Sequence, residues 1–193
     1  MVLIKTYDSL PFCDKEILRY AQCADASEEV LATLSSCKSE ALRSVSYKVC
    51  YCELSLKIDG DICHIGGFDV CSKNLSKNLS GCSRVIVFAA SIGIGIDRLI
   101  ARYSKISPAK ALLFQGIGSE RVEALCDAFC EDIAKEYGVS VKPRFSPGYG
   151  DLPLGTQKDI FALLDCERKI GVTLNDSLLM SPSKSVTAFL GLN

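Results

Sequence analysis

The stretch RFSPGYGDLPL, residues 144–154, is the most informative part of this chain. It places one arginine, two prolines, two glycines and a tyrosine just before a helix-like segment. Prolines restrict φ and lack a backbone donor, whereas glycines adopt backbone angles that other residues avoid. The composition therefore predicts a rigid loop that presents main-chain groups to whatever lies against it.

Arg144 gives this loop a planar, permanently charged group that suits a carboxylate or a phosphate. Composition alone supports a structural turn between two elements equally well. The pattern continues to Gln157 as RxSPGYGDLPLxxQ. The choice between a binding loop and a turn therefore depends on the rest of the chain.

Three other segments accompany the loop in a fixed order. A continuous apolar run at 84–91 leads into IGIGIDR at 92–98, ALLFQGIGS at 111–119 is followed by VEA at 122–124, and SPSKSV occupies 181–186. Together with R-x-x-P-G-Y, these segments resemble the activation (reactivation) domain of cobalamin-dependent methionine synthase. The resemblance extends from about Asp61 to the C-terminus and is thin before Ser46.

The resemblance implies an α+β fold with a largely antiparallel sheet flanked by helices, and a site for S-adenosylmethionine. In such a site the Arg144 guanidinium would bind the ligand carboxylate, and the backbone around Ser146 would bind the adenine. Without the resemblance, Glu131 is an ordinary solvated helix residue, Asp8 a turn residue and Tyr149 an aromatic lid on the loop. The binding residues that the resemblance implies are Arg144, Ser146, Pro147, Gly148, Tyr149, Glu131 and Asp8.

The reaction that the resemblance implies requires no catalytic residue from this chain. In the family, the cobalt of reduced cobalamin takes the methyl group of the sulfonium, so the nucleophile belongs to the cofactor. The implied partners are the cobalamin-binding domain of a methionine synthase, or another corrinoid protein, and a flavodoxin-type reductant. The chain would be an accessory of methionine biosynthesis, a methyltransferase system, and whether it is itself an enzyme stays open.

Two other interpretations are open. A free-standing module could cap a corrinoid protein without binding S-adenosylmethionine. Longer family members continue past the final strand, so we expect the end at Asn193 to weaken the adenosyl pocket and to favour this alternative. The third interpretation is a thiol or metal protein built on the cysteines.

The eleven cysteines favour packed thiols over a metal site, since their number is odd and no two have CxxC spacing. Cys50 and Cys52 share one face of a predicted strand, and Cys126 and Cys130 share one face of a predicted helix. Neither pair supplies a complete set of ligands, so we expect no metal. His64 lacks the aspartate of a cobalt-binding D-x-H-x-x-G motif, because Ile62 stands in its place.

Length and charge narrow the class of protein further. At 193 residues we expect one domain, 1–193, with a helical N-terminal part over about 1–45 and a core over 46–193. A net charge of -1 argues against a general nucleic-acid binder. The apolar runs are too short to span a bilayer or to form a signal peptide, so we expect a cytoplasmic protein.

Hydrophobic periodicity predicts a mixture of helices and strands, which also indicates an α+β fold. Ser27 is the predicted N-cap of the second helix. A long helix at 108–137 could break at Gly116 or Gly118. Helices are predicted at 14–22, from 27 onward, at 70–79, 94–103, 108–137 and 156–166, and strands at 46–58, 62–65, 83–90, 139–142, 177–180 and 186–191.

Overall fold

The computed structural model describes residues 1–23 and 27–193, and its main sheet is built around β5 (Arg84–Ser91). All residues of β5 after Arg84 are buried. β2 (Tyr47–Asp59) pairs with one edge of β5 and β8 (Ser185–Leu192) with the other, both antiparallel. A strand covered on both edges and both faces explains the continuous apolar run in the sequence.

β2 is long enough to pair with two strands along its outer edge. β1 (Leu3–Tyr7) pairs with its first half and β3 (Ile62–Ile65) with its second half, and β4 (Phe68–Cys71) extends the sheet beyond β3. These pairs are all antiparallel, so the predicted α+β fold with a largely antiparallel sheet is confirmed. β6 (Thr173–Leu174) and β7 (Met180–Ser181) form a separate two-stranded ribbon.

Two hydrophobic cores lie on opposite faces of the sheet, because side chains alternate along β5. Ile86 and Phe88 belong to the first core, and Val85 and Val87 to the second. The first core is covered by α1 (Asp14–Tyr20), α2 (Glu28–Leu42), α4 (Gly95–Ser104) and α5 (Pro108–Tyr137), and the second by α3 (Lys73–Asn78), α6 (Gln157–Leu164) and α7 (Cys166–Ile170).

α5 is continuous over 30 residues, so the break considered at Gly116 or Gly118 does not occur. Both glycines instead permit close packing. A Cβ on Gly116 would lie 2.6 Å from the carbonyl oxygen of Ile17 in α1. A Cβ on Gly118 would lie 2.9 Å from the side chains of Ile96 and Lys184. The sequence signal for a helix break therefore marks the places where other elements approach α5.

Several element boundaries differ from those predicted. The helix predicted at 70–79 is β4 followed by α3, since Ser72 caps α3 by accepting a hydrogen bond from the Leu75 N–H at 3.0 Å. The strand predicted at 139–142 is only an isolated bridge between Val141 and Leu192. β1 was not predicted at all. The N-cap predicted at Ser27 is confirmed.

Within the part of the chain that the structure describes, no helix is both long and apolar enough to cross a bilayer.

Candidate functional site

The 144–154 loop starts at the free edge of β8. The N–H of Phe145 donates to the carbonyl of Phe189 at 2.9 Å, and the N–H of Phe189 donates back at 2.8 Å. The loop then leaves β8 and turns on itself, where the Gly148 N–H donates to the Leu152 carbonyl at 2.9 Å. Gly148 has a φ of 92°, which explains the glycine at this position.

Asp151 fastens the far end of the loop to the first turn of α3. Its carboxylate accepts hydrogen bonds from the Ser72 hydroxyl at 2.5 Å, the Lys73 N–H at 2.9 Å and the Asn74 N–H at 3.1 Å. The bond from Ser72, together with the two backbone bonds, lowers the pKa of Asp151. The loop is therefore held at both ends, in agreement with the rigid loop that its composition predicts.

A cavity of about 470 Å³ lies between this loop, β8 and α5. Its walls combine one cation and one carboxylate with neutral polar groups and apolar side chains. It is lined by Glu123, Pro143, Arg144, Phe145, Ser146, Pro147, Tyr149, Gln157, Met180, Ser185, Val186 and Thr187.

Arg144 pairs with two carboxylates on α5. One terminal nitrogen of its guanidinium donates to Asp127 and the other to Glu123. Because the two acids are four residues apart on one helix, they lie on the same face and both reach the guanidinium. Burial opposes the charge on Arg144, but the hydrogen bond to Asp127 and the neighbouring acids raise its pKa overall. Arg144 therefore carries its charge throughout the physiological pH range.

The structure brings together most of the loop residues that the resemblance implied. Arg144, Ser146, Pro147 and Tyr149 line the cavity, and Gly148 shapes the turn between them. Tyr149 is largely exposed at the rim. Five neighbouring loop residues therefore line or shape one cavity.

Glu131 and Asp8 lie elsewhere. The Glu131 side chain is 72% exposed and pairs with Lys135 at 3.8 Å. It is one helical turn beyond Asp127, about 6 Å further along α5, and it lines a second cavity of about 580 Å³ beneath the N-terminal loop. Asp8 is exposed in a bend after β1 and lines neither of the two cavities. The carboxylates beside Arg144 are those of Glu123 and Asp127 instead.

Four residues of the site escaped the sequence analysis: Glu123, Asp127, Gln157 and Thr187. Glu123 and Gln157 stood inside quoted motifs, and the i, i+4 spacing of the two acids on a predicted helix was a usable signal. Thr187 gave no signal, because it is one polar residue in a buried strand. Only the packing of α6 and the loop against β8 reveals it.

Within the described ranges, the cysteines show no arrangement typical of a metal centre. Among residues 1–23 and 27–193, no group of three or more His, Cys, Asp or Glu side chains is placed to hold an ion. All eleven cysteines are free thiols. Burial raises the pKa of Cys63 and of Cys130 to about 11.

The whole chain resembles a domain of known structure. The chain superimposes on the crystal structure of the MetH reactivation domain bound to AdoHcy with a TM-score of 0.75, over 99% of this chain and 78% of that one. The fold is that of a methionine synthase reactivation domain. Sequence identity to that domain is 13%, so the similarity is one of fold.

The reactivation-domain fold is accompanied by a match in sequence at the site itself. The model of the family described as vitamin B12 dependent methionine synthase, activation domain, matches residues 141–193. This range contains the 144–154 loop and all of β8, so it supplies two of the three walls of the cavity. The resemblance recognised from the motifs is confirmed. No curated protein sequence matched the chain.

Proposed function

We propose that this chain binds S-adenosylmethionine in the cavity beside the 144–154 loop and supports the reductive methylation of cobalamin on a separate protein. The observation that carries the proposal is the pairing of Arg144 with Glu123 in a cavity. That cavity is formed largely by residues 141–193, the part of the chain that matches the activation-domain family.

The Arg144–Glu123 pair suits the amino-acid end of the ligand. This end is a zwitterion, and it needs a donor for its carboxylate and an acceptor for its ammonium. Arg144 supplies the first and Glu123 the second. Asp127 holds Arg144 in the ligand-free protein, and because Asp127 is 64% exposed, water can replace the guanidinium there at little cost when the ligand carboxylate binds.

The charges around the cavity also suit a sulfonium. Arg144 contributes one positive charge, and Glu123 and Asp127 contribute two negative charges, so the cluster has a net charge of -1. S-adenosylmethionine carries a net charge of about +1 at neutral pH, because its carboxylate, ammonium and sulfonium are all ionised. The cluster therefore attracts the sulfonium form more strongly than the demethylated thioether.

The chain's own contribution to methyl transfer would be binding and orientation. The bound sulfonium supplies the methyl group, and cobalamin on the partner supplies the nucleophile. Phe145, Met180 and Val186 would cover the ligand on its apolar side. Arg144 and Glu123 would fix one end of it, so that the methyl group faces the cavity mouth.

The partner that we propose is the cobalamin-binding domain of a methionine synthase or another corrinoid protein, with a flavodoxin-type reductant supplying the electron. Tyr149 lines the cavity and is exposed, and Leu154 is an exposed apolar side chain of the same loop. Exposed apolar groups around a binding cavity are typical of a surface that another molecule covers. They support a partner that approaches the ligand from this side.

Isothermal titration calorimetry tests the proposal. S-adenosylmethionine is titrated into the chain alone and into an equimolar mixture with a cobalamin-binding domain. We expect one site per chain, in the mixture at least, and transfer of a labelled methyl group to cobalamin under a low-potential reductant. If the two proteins associate but neither sample binds S-adenosylmethionine, the chain is a capping module instead.

A further inference from the structure

We propose that Gln157 and Thr187 form the subsite that binds the nucleoside end of the ligand and makes the site specific for it. This inference rests on the proposed function, since it concerns the part of the same cavity that α6 and β8 form, whereas the Arg144–Glu123 pair joins the loop to α5. Gln157 begins α6, and Thr187 lies in β8.

The first observation is that both residues have a buried side-chain oxygen without a hydrogen-bond partner. Gln157 is 6% exposed and Thr187 is 2% exposed, and both line the cavity. Gln157 Oε1 and Thr187 Oγ1 are buried atoms without a hydrogen-bond partner. In the part of the chain that the structure describes, only one other side-chain atom, Asn78 Oδ1, shares this condition. Buried polar atoms are nearly always paired, so two together in one cavity indicate that a ligand pairs them.

The second observation is the open edge of β8 beside Thr187. The backbone of Phe189 faces outward and exchanges two hydrogen bonds with Phe145, and the carbonyl of Gly191 accepts from the Lys142 N–H at 2.9 Å. Backbone direction alternates along an antiparallel strand, so the N–H and C=O of Thr187 face the same side as those of Phe189. The 144–154 loop has already left β8 at this point, and no backbone hydrogen bond to Thr187 is found on that side among the described residues.

Together these groups define the chemistry of the subsite. The backbone N–H, the backbone C=O and the side-chain hydroxyl of Thr187 line the same cavity as the Gln157 amide. None of these groups carries a charge. Phe145 and Val186 add apolar surface. A neutral ring system with polar edges and flat apolar faces fits these groups, whereas the charged amino-acid end fits Arg144 and Glu123. The nucleoside is the part of the ligand with these properties.

Two nearly isosteric variants, Gln157→Met and Thr187→Val, test the assignment. Each removes an unpaired polar atom at almost constant volume, so each should raise the melting temperature of the ligand-free protein. Each should also weaken binding of 5′-methylthioadenosine and of S-adenosylmethionine about 5- to 10-fold, the effect of one lost hydrogen bond. Ser185→Ala is the reference for stability, because the Ser185 hydroxyl is bonded to Ser91 at 2.9 Å and to the Pro182 carbonyl at 2.8 Å, and its loss should lower the melting temperature.

The choice of ligands separates this inference from the proposed function. 5′-Methylthioadenosine lacks the amino-acid end, so Arg144→Ala should leave its affinity unchanged while weakening S-adenosylmethionine. A wild type that binds 5′-methylthioadenosine but not S-adenosylmethionine would support the subsite and overturn the proposed function. If both variants bind like wild type, or if they lower the melting temperature as Ser185→Ala does, Gln157 and Thr187 are structural. A wild type that binds neither compound overturns both proposals.

Discussion

Two arginines, Arg121 within α5 and Arg144 beside it, pair with acidic side chains of that helix in different settings. Arg121 is fully buried, pairs with Glu120 and donates to the carbonyls of Leu10 at 2.8 Å and Pro11 at 2.5 Å. Arg144 is only partly buried, and its partners Glu123 and Asp127 are 42% and 64% exposed. The first cluster joins two segments of chain, whereas the second borders an open cavity.

This difference in burial makes the Arg144 cluster, and not the Arg121 cluster, accessible to a ligand. The polar groups around Arg121 are paired with one another, since Glu120 also accepts from the Cys13 N–H at 3.0 Å. A ligand could not replace any partner in this cluster without leaving a buried charge unpaired. Around Arg144, water can replace each partner. The acids of the Arg144 cluster can therefore be reached by a ligand, whereas the Arg121–Glu120 pair serves as a structural joint.

The largest effect should come from breaking the buried cluster. Arg121→Met leaves the Glu120 carboxylate buried without a counterion, so we expect the free energy of unfolding to fall by about 3 to 5 kcal/mol. Urea denaturation measures it. Arg102→Ala is the control, because that exposed pair with Glu40 should contribute no more than about 1 kcal/mol. If Arg121→Met were as stable as the control, the joint would not hold the N-terminal loop to α5.

Arg144→Ala should weaken ligand binding and have little effect on stability, the opposite of Arg121→Met. We expect S-adenosylmethionine binding to weaken by about 2 to 5 kcal/mol, because the ligand carboxylate loses its partner. The free energy of unfolding should change by less than about 1 kcal/mol, since Glu123 and Asp127 remain solvated. Arg144→Lys should recover part of the affinity, because an ammonium cannot reproduce the planar fork.

Thermal shifts of wild type and both Arg144 variants, each with and without ligand, separate these quantities. A large loss of stability without ligand would show that Arg144 is a second structural joint. The comparison between the two arginines would then fail.

Glu123→Gln should change the preference between two ligands. The substitution raises the net charge of the cluster from -1 to 0, so the sulfonium loses more than the neutral thioether does. We expect the ratio of affinities for S-adenosylmethionine and S-adenosylhomocysteine to fall by a few-fold, about 1 kcal/mol at most for a partly exposed charge. Calorimetry at low and at 0.5 M salt measures the ratio, which salt should reduce in wild type. An unchanged ratio would show that the cluster does not sense the sulfonium.

The smallest expected effect is on the reactivity of Cys130, a residue of α5 that lies near Arg144. Burial raises the pKa of the Cys130 thiol to about 11, and the positive charge of Arg144 limits that rise. Arg144→Ala should therefore raise the pKa further and slow alkylation by iodoacetamide at pH 9, because less thiolate is present. Peptide mass spectrometry follows the rate, with Cys82 as the internal control. Faster alkylation in the variant would mean that Arg144 mainly shields the thiol.

Local sequence patterns were sufficient for most secondary structure. The apolar run at 83–90, the alternation at 46–58 and the capped helix after Ser27 each depend on neighbours close in the chain, so all three appear at nearly the predicted positions. β1 was missed because a short, half-exposed strand has little apolar pattern of its own. Its position depends on the free edge of β2.

For the site, local sequence specifies the loop, whereas the packing of distant segments sets what the loop faces. Proline and glycine act within a few residues of one another, so their pattern can be read from the chain, whereas the contact of Asp151 with α3 joins residues 77 to 79 positions apart and depends on the fold. The partner of Arg144 depends on the position of α5 beside the loop, which selects Glu123 and Asp127 and leaves Glu131 one turn away. Thr187 and Gln157 meet the cavity only because the loop leaves β8 after Phe145, and such a gap between elements has no local signature in sequence.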